Sequence, residues 1–222
     1  MKRWSKLGRI VSFSVISLFF CSCGHIGKKE FDSVAYRPSD PSAVKLKVSL
    51  SKQVLYVMED DRPLMVTPIT VGKASTPTPK GEFKVIQKKQ DKRSTSFGMY
   101  VNKKTNTVRP SRSGNGRPGE KYTGYPLPFW LRFNGAYGFH AGGVYPQPRT
   151  HGCIRVHKNV APKLFAMTSM GTPVSVRDTQ PEDATIGRNV ARPSDWKDPD
   201  PPYSYILSDK PFADPAGPLF VN

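Results

Sequence analysis

Cysteine and histidine side chains cluster in one short part of this sequence. Three of the four histidines, His140, His151 and His157, lie within an eighteen-residue span that also contains Cys153. A thiol needs a base or electropositive surroundings to form the nucleophilic thiolate at neutral pH, and an imidazole meets that need. The cluster therefore predicts nucleophilic catalysis, with Cys153 as the nucleophile and a histidine as its base.

The segment that carries Cys153 has the pattern of a strand with two unlike faces. Side chains alternate across a strand, so an extended segment over 150–156 separates polar and reactive groups from apolar anchors. The predicted reactive face holds His151, Cys153 and Arg155, whereas the predicted core face holds Gly152, Ile154 and Val156. The apolar side chains are expected to fix the reactive face in place.

Two residues beside the thiol have predicted roles in substrate binding. Gly152 allows the backbone to turn and a substrate to approach closely, and the amides of Gly152 and Cys153 are candidates for an oxyanion hole. The planar guanidinium of Arg155 suits a substrate carboxylate. This combination indicates acyl transfer on a substrate that bears a carboxylate.

Several motifs in the same order resemble the L,D-transpeptidase catalytic domain. Gly-Phe-His-Ala-Gly at 138–142 and Thr-His-Gly-Cys-Ile-Arg at 150–155 resemble the paired signature of that family. Upstream, the stretch 48–57 resembles its opening hairpin, and Val-Gly-Lys at 71–73 with Thr-Pro-Thr-Pro-Lys-Gly-Glu-Phe at 76–83 resembles its next turn. The resemblance covers residues 44–177.

The resemblance implies a site, a fold and a reaction. It implies Cys153 as the acylated nucleophile, His140 as its base and His151 as a support at the oxyanion site, with Thr150 in a position where serine is commoner. The implied fold is mostly β, a mixed β-sandwich-like domain with one or two short helices and a long flap loop. The implied activity is transfer of peptidoglycan stem peptides through a cysteine acyl-enzyme, without a cofactor; Thr150, Gly152 and Arg155 are the expected substrate-binding residues.

Other interpretations remain open at this point. An L,D-carboxypeptidase or endopeptidase would use the same cysteine and histidine but pass the acyl group to water, and a wall-binding lipoprotein would use neither. A zinc site built from the cluster is chemically feasible, although no characteristic ligand spacing is present. A buried structural cysteine is a further alternative, and His157 is expected to be a surface or supporting group.

The N-terminal segment has the pattern of an export signal. Basic residues precede an apolar run over 10–21 that is too short to span a bilayer as a mature helix. Ser22-Cys23-Gly24 resembles a lipoprotein processing site, which predicts a signal over 1–22, lipidation of Cys23 and a tether over 23–43. An ordinary signal peptide, an uncleaved anchor and lipidation of Cys21 are the alternatives. The expected location is the periplasmic cell envelope, on a membrane.

Charge and cysteine content agree with an exported protein that acts on the cell wall. Lys and Arg number 34 against 17 Asp and Glu, an excess that favours an anionic partner. Export disfavours nucleic acid as that partner and leaves peptidoglycan and lipid headgroups. After processing, Cys153 would be the only free thiol, so no disulfide is expected within the mature chain.

The remaining pattern predicts a catalytic domain over 44–177 and an acidic extension over 178–222. Alternating residues from Val44 onward predict a strand, and Asp60-Asp61 predicts a hairpin turn. Residues 88–121, with ten basic residues and two acids, are expected to form a long mobile loop or flap. A short helix is predicted over 158–169 and a closing strand over 171–176. The extension is expected to be partly ordered, because it contains aromatic anchors.

Overall fold

The computed structural model describes residues 30–221 of the chain, and Cys23 and the predicted signal lie outside them. The described part is mostly β with two short α-helices, as predicted. The strands are β1 Val44–Ser49, β2 Val54–Glu59, β3 Arg62–Thr70, β4 Gly81–Lys84, β5 Gln87–Asn102, β6 Thr107–Arg112, β7 Glu120–Asn134, β8 Tyr137–Ala141, β9 Ile154–Val156 and β10 Pro173–Arg177. The helices are α1 Ala161–Met167 and α2 Tyr203–Leu207.

The ten strands form a single hydrogen-bonded order, β4-β10-β1-β2-β3-β9-β8-β7-β5-β6. Two pairs are parallel, β1 with β10 and β8 with β9, and the other pairs are antiparallel. The short strand β9 lies between β3 and β8, in the middle of this order. The topology therefore brings the segment after Cys153 beside the strand that carries His140.

The larger of two hydrophobic clusters is formed by side chains of these strands and of α1. The alternation predicted for β1 is confirmed, because Val44, Leu46 and Val48 are fully buried. Ile154 and Val156 of β9 are buried in the same core, as the pattern of the segment predicted. The predicted helix is present as α1 but is shorter than expected, and the predicted closing strand is present as β10.

The prediction of a long loop over 88–121 was wrong. The chain forms β5 and β6 there and then enters β7, which pairs antiparallel with β5 along most of its length. Asn102 closes the β5–β6 turn by accepting hydrogen bonds from the amides of Lys104 and Thr105. Apart from Met99 and Tyr100, no side chain of β5 or β6 is buried, so the sequence lacks the hydrophobic alternation of a core strand. Residues 87–124 are called the flap hairpin below.

The predicted tether is also shorter than expected. Residues 31–36 pack on the domain: Ala35 is buried and pairs with Met65 of β3. The Nζ atom of Lys163 in α1 lies 2.6 Å from Asp32 Oδ2 and donates to the carbonyl oxygen of Ser33. These contacts with β3 and α1 require a fixed backbone. Residues 31–36 therefore belong to the folded domain rather than to a free tether.

The acidic extension packs against the domain over its described part, 178–221. Near its start, Asp183 accepts hydrogen bonds from the hydroxyls of Tyr56 and Ser49. At its described end, the amide of Val221 donates to the carbonyl oxygen of Ala35. Two of the aromatic anchors also make contacts: Trp196 packs on Tyr145, and the guanidinium of Arg93 lies over the ring of Phe212. Within residues 30–221, no helix combines the length and the apolar character that a membrane span requires.

Candidate active site

Cys153 lies at the end of a turn that leads directly into β9. The backbone is extended only from Ile154 onward, and Gly152 has a φ of +110°. The predicted extended segment over 150–156 is therefore wrong for its first half, because a left-handed residue interrupts the alternation. His151 is exposed on this turn, whereas Cys153 is half-buried.

The hydroxyl of Thr150 holds this turn together from inside. Thr150 Oγ1 donates to the carbonyl oxygen of Cys153 and accepts a hydrogen bond of 3.1 Å from the amide of Gly152. Thr150 itself is buried. The Gly152 amide is consequently engaged within the turn, which corrects the prediction that it lines an oxyanion hole. Thr150 and Gly152 build the turn in this structure, and of the two amides predicted for an oxyanion hole only that of Cys153 remains a candidate.

Two further threonines fix the turn from the neighbouring loop, and sequence analysis missed both. Thr76 Oγ1 donates to the carbonyl oxygen of Thr150 at 3.0 Å. Thr78 Oγ1 donates to the carbonyl oxygen of Gly152 at 2.9 Å and accepts from the amide of Gly72 at 2.9 Å. The available signal was the Thr-Pro-Thr-Pro stretch itself, in which prolines fix the backbone and threonines supply hydroxyls.

The position of Gly152 excludes any side chain. A β-carbon at residue 152 would lie 2.3 Å from Cε1 of Tyr137, which packs on the turn from β8. The positive φ adds a second restriction, since residues with a β-carbon rarely adopt it. Glycine is therefore required here both by space and by backbone conformation.

The thiol of Cys153 lies in surroundings that favour its protonated form. Its Sγ atom lies 3.7 Å from the carbonyl oxygen of Ala136, to which the thiol donates. Burial raises the pKa of Cys153, and the backbone amide of Gly138 and the positive charge of Arg155 only partly oppose this effect. Formation of the thiolate consequently needs a base at the site.

His140 has the properties of that base. It is 8% exposed, and its Nδ1 lies 2.9 Å from the carbonyl oxygen of Ala141. A ring nitrogen facing a carbonyl oxygen carries the hydrogen, so Nε2 of the neutral ring has the free lone pair. Burial lowers the pKa of His140 to about 4, with a further contribution from the charge of Arg155. The imidazole is thus neutral and able to accept a proton at neutral pH.

The parallel pairing of β8 with β9 places His140 beside Arg155. Phe139 and Ile154, the preceding pair in the register, are both fully buried in the core. Because side chains alternate along each strand, His140 and Arg155 point away from that core. The sequence-predicted base therefore lies on the strand next to the segment that begins directly after Cys153.

His151 is held by the flap hairpin rather than by the core. Its ring stacks on Phe97, with ring centroids 4.7 Å apart and an angle of 26° between the planes. The guanidinium of Arg112 covers Phe97 at 5.0 Å. Burial lowers the pKa of His151, and the charges of Lys73, Arg112 and Arg155 act in the same direction.

Arg155 offers a positive charge next to the thiol. Its side chain passes over Gly142, where a β-carbon would lie 3.1 Å from Arg155 Cδ. The guanidinium of Arg155 has no hydrogen-bonding partner within residues 30–221. Its pKa is affected only by burial and by the charges of neighbouring groups. Burial lowers the pKa of Arg155. An incompletely solvated guanidinium without a fixed partner is suited to bind an incoming carboxylate.

His157 lies apart from this site. It is buried, which excludes the surface position and leaves the supporting role of the two that were predicted, and its Nε2 lies 2.8 Å from Asp195 Oδ2 of the acidic extension. The edge of its ring contacts Phe31, with ring centroids 5.0 Å apart. Across residues 30–221, no three His, Cys, Asp or Glu side chains converge into a metal-binding group. The histidine cluster of the sequence thus separates into a base, a flap contact and a structural residue.

Comparison with known proteins agrees with these motifs. The sequence profile of the YkuD family, described as the L,D-transpeptidase catalytic domain, matches residues 43–176. A protein of Bacillus licheniformis provisionally named L,D-transpeptidase YkuD is 28% identical over 140 residues, which are 63% of this chain and 69% of the relative. The acidic extension lies outside the matched region.

Solved structures of L,D-transpeptidases are also similar. A crystal structure of an L,D-transpeptidase from Stackebrandtia nassauensis has 23% sequence identity to this chain and a TM-score of 0.45. The match covers 66% of this chain and 60% of the Stackebrandtia chain. The solution structure of an Enterococcus faecium catalytic domain has 26% identity and a TM-score of 0.43, covering 61% of this chain and 98% of its own. This chain therefore spans about three fifths of the Stackebrandtia protein. Both TM-scores are below 0.5, so the family assignment depends on the sequence match.

Proposed function

This chain belongs to the YkuD family of L,D-transpeptidase catalytic domains, and from that premise we propose that it transfers peptidoglycan stem peptides through an acyl-enzyme on Cys153. The observation that carries the proposal is the placement of two groups: the buried imidazole of His140 lies on β8, which pairs with β9, and Cys153 directly precedes β9. Such a pair is inert until a substrate brings an electrophilic carbonyl close to the sulfur, at which point the proton can move to His140.

The first half-reaction forms a thioester. His140 Nε2 takes the proton of Cys153 Sγ as the sulfur attacks the carbonyl carbon of the L-centre of a diamino acid in the donor stem. The resulting oxyanion accepts a hydrogen bond from the Cys153 amide. Collapse of the tetrahedral intermediate breaks the peptide bond, and the imidazolium of His140 returns the proton to the amine of the departing terminal D-residue. Arg155 binds a carboxylate of the stem and so orients the carbonyl group.

The second half-reaction releases the acyl group. His140, now neutral, takes a proton from an acceptor amine that attacks the thioester, and the thiol is restored as the new amide forms. Water in place of the amine would give hydrolysis, the L,D-carboxypeptidase or endopeptidase reaction. Both outcomes use the same acyl-enzyme, so the acceptor must be identified from products.

Intact-mass spectrometry tests the proposal at its first step. Incubation with a carbapenem, a ring-strained acyl donor, should add the mass of the drug to the wild-type protein and not to Cys153→Ala. Incubation with disaccharide tetrapeptides should give cross-linked muropeptides with the wild type alone, and a metal chelator should leave both results unchanged. An adduct that persists in Cys153→Ala would contradict the cysteine mechanism.

We further propose that the protein acts in the periplasmic envelope, anchored through a lipid on Cys23. The apolar run over 10–21, followed by Ser22-Cys23-Gly24, supports this location. The high positive charge is suited to a wall polymer that carries carboxylates. Replacement of Cys23 by Ala should abolish labelling by a fatty-acid probe in cells; undiminished labelling would contradict Cys23 as the lipidation site.

A further inference from the structure

The flap hairpin carries an arginine that the proposed reaction leaves unused. Arg112 is the last residue of β6 and is exposed. Within residues 30–221, neither a hydrogen bond nor an ion pair engages its guanidinium, which lies over the ring of Phe97 at 5.0 Å from the centroid. Arg109 of the same strand, by contrast, donates to Glu120 at 2.7 Å and to the carbonyl oxygen of Asn115 at 2.9 Å. Of these two arginines, Arg112 is the one whose charge is available to a ligand.

The backbone of the flap hairpin explains why Arg112 and Phe97 meet. The two residues are direct partners in the antiparallel register of β5 and β6, so their side chains are neighbours. The pairing of β5 with β7 shifts register between Arg93 and Gly98, and within this stretch Ser94 Oγ accepts a hydrogen bond of 3.0 Å from the amide of Phe97. Irregularities of this kind re-aim side chains beside active sites. Here the re-aimed ring is that of Phe97.

Phe97 connects Arg112 to the turn that carries the thiol. Its ring stacks on His151, with centroids 4.7 Å apart. His151 precedes Cys153 by two residues, a distance of at most about 7 Å along the backbone. Burial lowers the pKa of His151, and the charges of Lys73 and Arg112 act in the same direction, in agreement with the ring contacts. The guanidinium therefore lies where the flap hairpin meets the turn.

Basic residues of three separate segments approach this turn. Lys73 belongs to the loop after β3, and its amide donates to the carbonyl oxygen of Thr150 at 3.1 Å. Arg155 belongs to β9, and Arg112 to the flap hairpin. One guanidinium is enough to bind one carboxylate in a bidentate manner, so additional cations at the same turn suit a ligand that carries more than one negative charge.

We propose that Arg112 is a specificity-determining residue of the flap hairpin, which binds a second carboxylate of a stem peptide while Arg155 binds the first. This inference depends on the proposed acyl-enzyme at Cys153. The face of the guanidinium can stay on Phe97 while its edge donates hydrogen bonds to the carboxylate. A carboxamide at the same place has no negative charge and loses most of this attraction. The flap hairpin therefore favours stem peptides whose second carboxylate is free.

The experiment compares Arg112→Gln with Lys104→Gln in the full mature protein. Lys104 is exposed at the turn between β5 and β6, at the opposite end of β6 from Arg112. Both variants remove one positive charge from the flap hairpin. Acylation of Cys153 is followed by intact mass for donor stem peptides in which each carboxylate in turn is free or replaced by a carboxamide. Transfer from the acyl-enzyme is followed for acceptor stem peptides prepared in the same way, which distinguishes the donor from the acceptor as the source of the carboxylate.

We expect Arg112→Gln to raise KM by about two- to five-fold for the peptide with the free second carboxylate, the range of an exposed charge interaction, with little change in kcat. Its carboxamide counterpart and Lys104→Gln should show no change, and added salt should reduce the effect because the Debye length is about 10 Å at 0.1 M. Equal changes for the two forms of every peptide, equal effects of both variants, or no change in either half-reaction would overturn the inference. Absence of any acyl-enzyme in the wild type would instead contradict the proposed function.

Discussion

The turn that carries Cys153 and the flap hairpin that contacts it are stabilised in different ways. Buried hydroxyls of Thr78 and Thr150 hold the turn, each satisfying backbone groups that have no other partner in the loop. The flap hairpin depends on long backbone pairing between β5 and β7 and on exposed contacts such as the hydrogen bond between the hydroxyls of Thr105 and Thr107. One region is fixed by a few buried interactions and the other by many weak ones.

This difference has consequences for both catalysis and mutation. The atoms that react must be held within a fraction of an ångström, which buried hydrogen bonds with no alternative partner achieve. The flap hairpin must admit a polymeric substrate, and exposed pairs can be exchanged for contacts with water or substrate at little cost. Equivalent substitutions in the two regions should therefore have unequal effects, which matched pairs of variants can measure.

The largest difference is expected between Gly152→Ala and Gly114→Ala. Both glycines have positive φ, +110° and +89°, so both substitutions impose backbone strain. A β-carbon at 152 also meets Tyr137 at 2.3 Å, whereas one at 114, in the flap hairpin, meets nothing within 4 Å. Displacement of the thiol should lower kcat/KM by about 100-fold or more in Gly152→Ala. The flap variant should keep most of its activity; comparable losses in the two would show that strain alone is responsible.

The next largest effect concerns the pH dependence of stability due to His140. The pKa of His140 is about 4 in the folded protein and near 6.5 in the unfolded chain, so between these values the unfolded state binds more protons. The free energy of unfolding should consequently rise as pH increases from 4 to 6.5, by about 3 kcal/mol from this residue. When the unfolding free energy is measured with urea across this pH range, the His140→Gln variant should lack this rise.

His151→Gln is the matched control for this measurement, because His151 is exposed and contacts the flap hairpin. Its effect on the slope should be smaller, since an exposed ring changes its solvation less on folding. An unchanged slope in His140→Gln would show that another group causes the dependence of the unfolding free energy on pH.

The sequence was sufficient to propose a chemistry for the turn but not to predict how the turn is built. Cys153, His140 and Arg155 were identified because few residue types perform nucleophilic and general-base chemistry, and the core positions of β9 followed from simple alternation. The roles of Thr76 and Thr78 depend on which carbonyl oxygens approach them in three dimensions. No local pattern encodes that proximity, since the threonines precede the turn by more than seventy residues.

The flap hairpin was predicted less well for a related reason. The sequences of β5 and β6 carry no hydrophobic alternation, and these strands are held by pairing of β5 with β7 and of β6 with β5. The burial of His157 likewise involves Asp195, which lies far from it in the sequence. Local patterns do not encode such non-local backbone pairing or contacts with the extension.

The third comparison uses hydroxyl deletion at Thr78 and at Thr105. Thr78→Val leaves the amide of Gly72 and the carbonyl oxygen of Gly152 without a buried partner. This should lower the free energy of unfolding by about 1–3 kcal/mol and slow acylation. Thr105 Oγ1 pairs only with the hydroxyl of Thr107 at the exposed flap turn, 2.9 Å away, so Thr105→Val should cost less than about 0.5 kcal/mol. If chemical denaturation shows similar losses of unfolding free energy in the two variants, the distinction between the two regions is contradicted.

The smallest expected effect is at the contact between the two regions, where Phe97 stacks on His151. Phe97→Ala removes a ring pair worth about 0.5–1.5 kcal/mol, so KM should rise by about two- to ten-fold with little change in kcat. Loss of the ring also exposes His151, and because burial is the main cause of its lowered pKa, that pKa should move back toward its ordinary value. Titration of the His151 ring protons by NMR measures this shift directly. Phe97→Tyr keeps the ring and should retain both the KM and the pKa of the wild type. A pKa of His151 that is the same in Phe97→Ala and in the wild type would show that the flap hairpin does not control the environment of the turn, and that the two regions function independently.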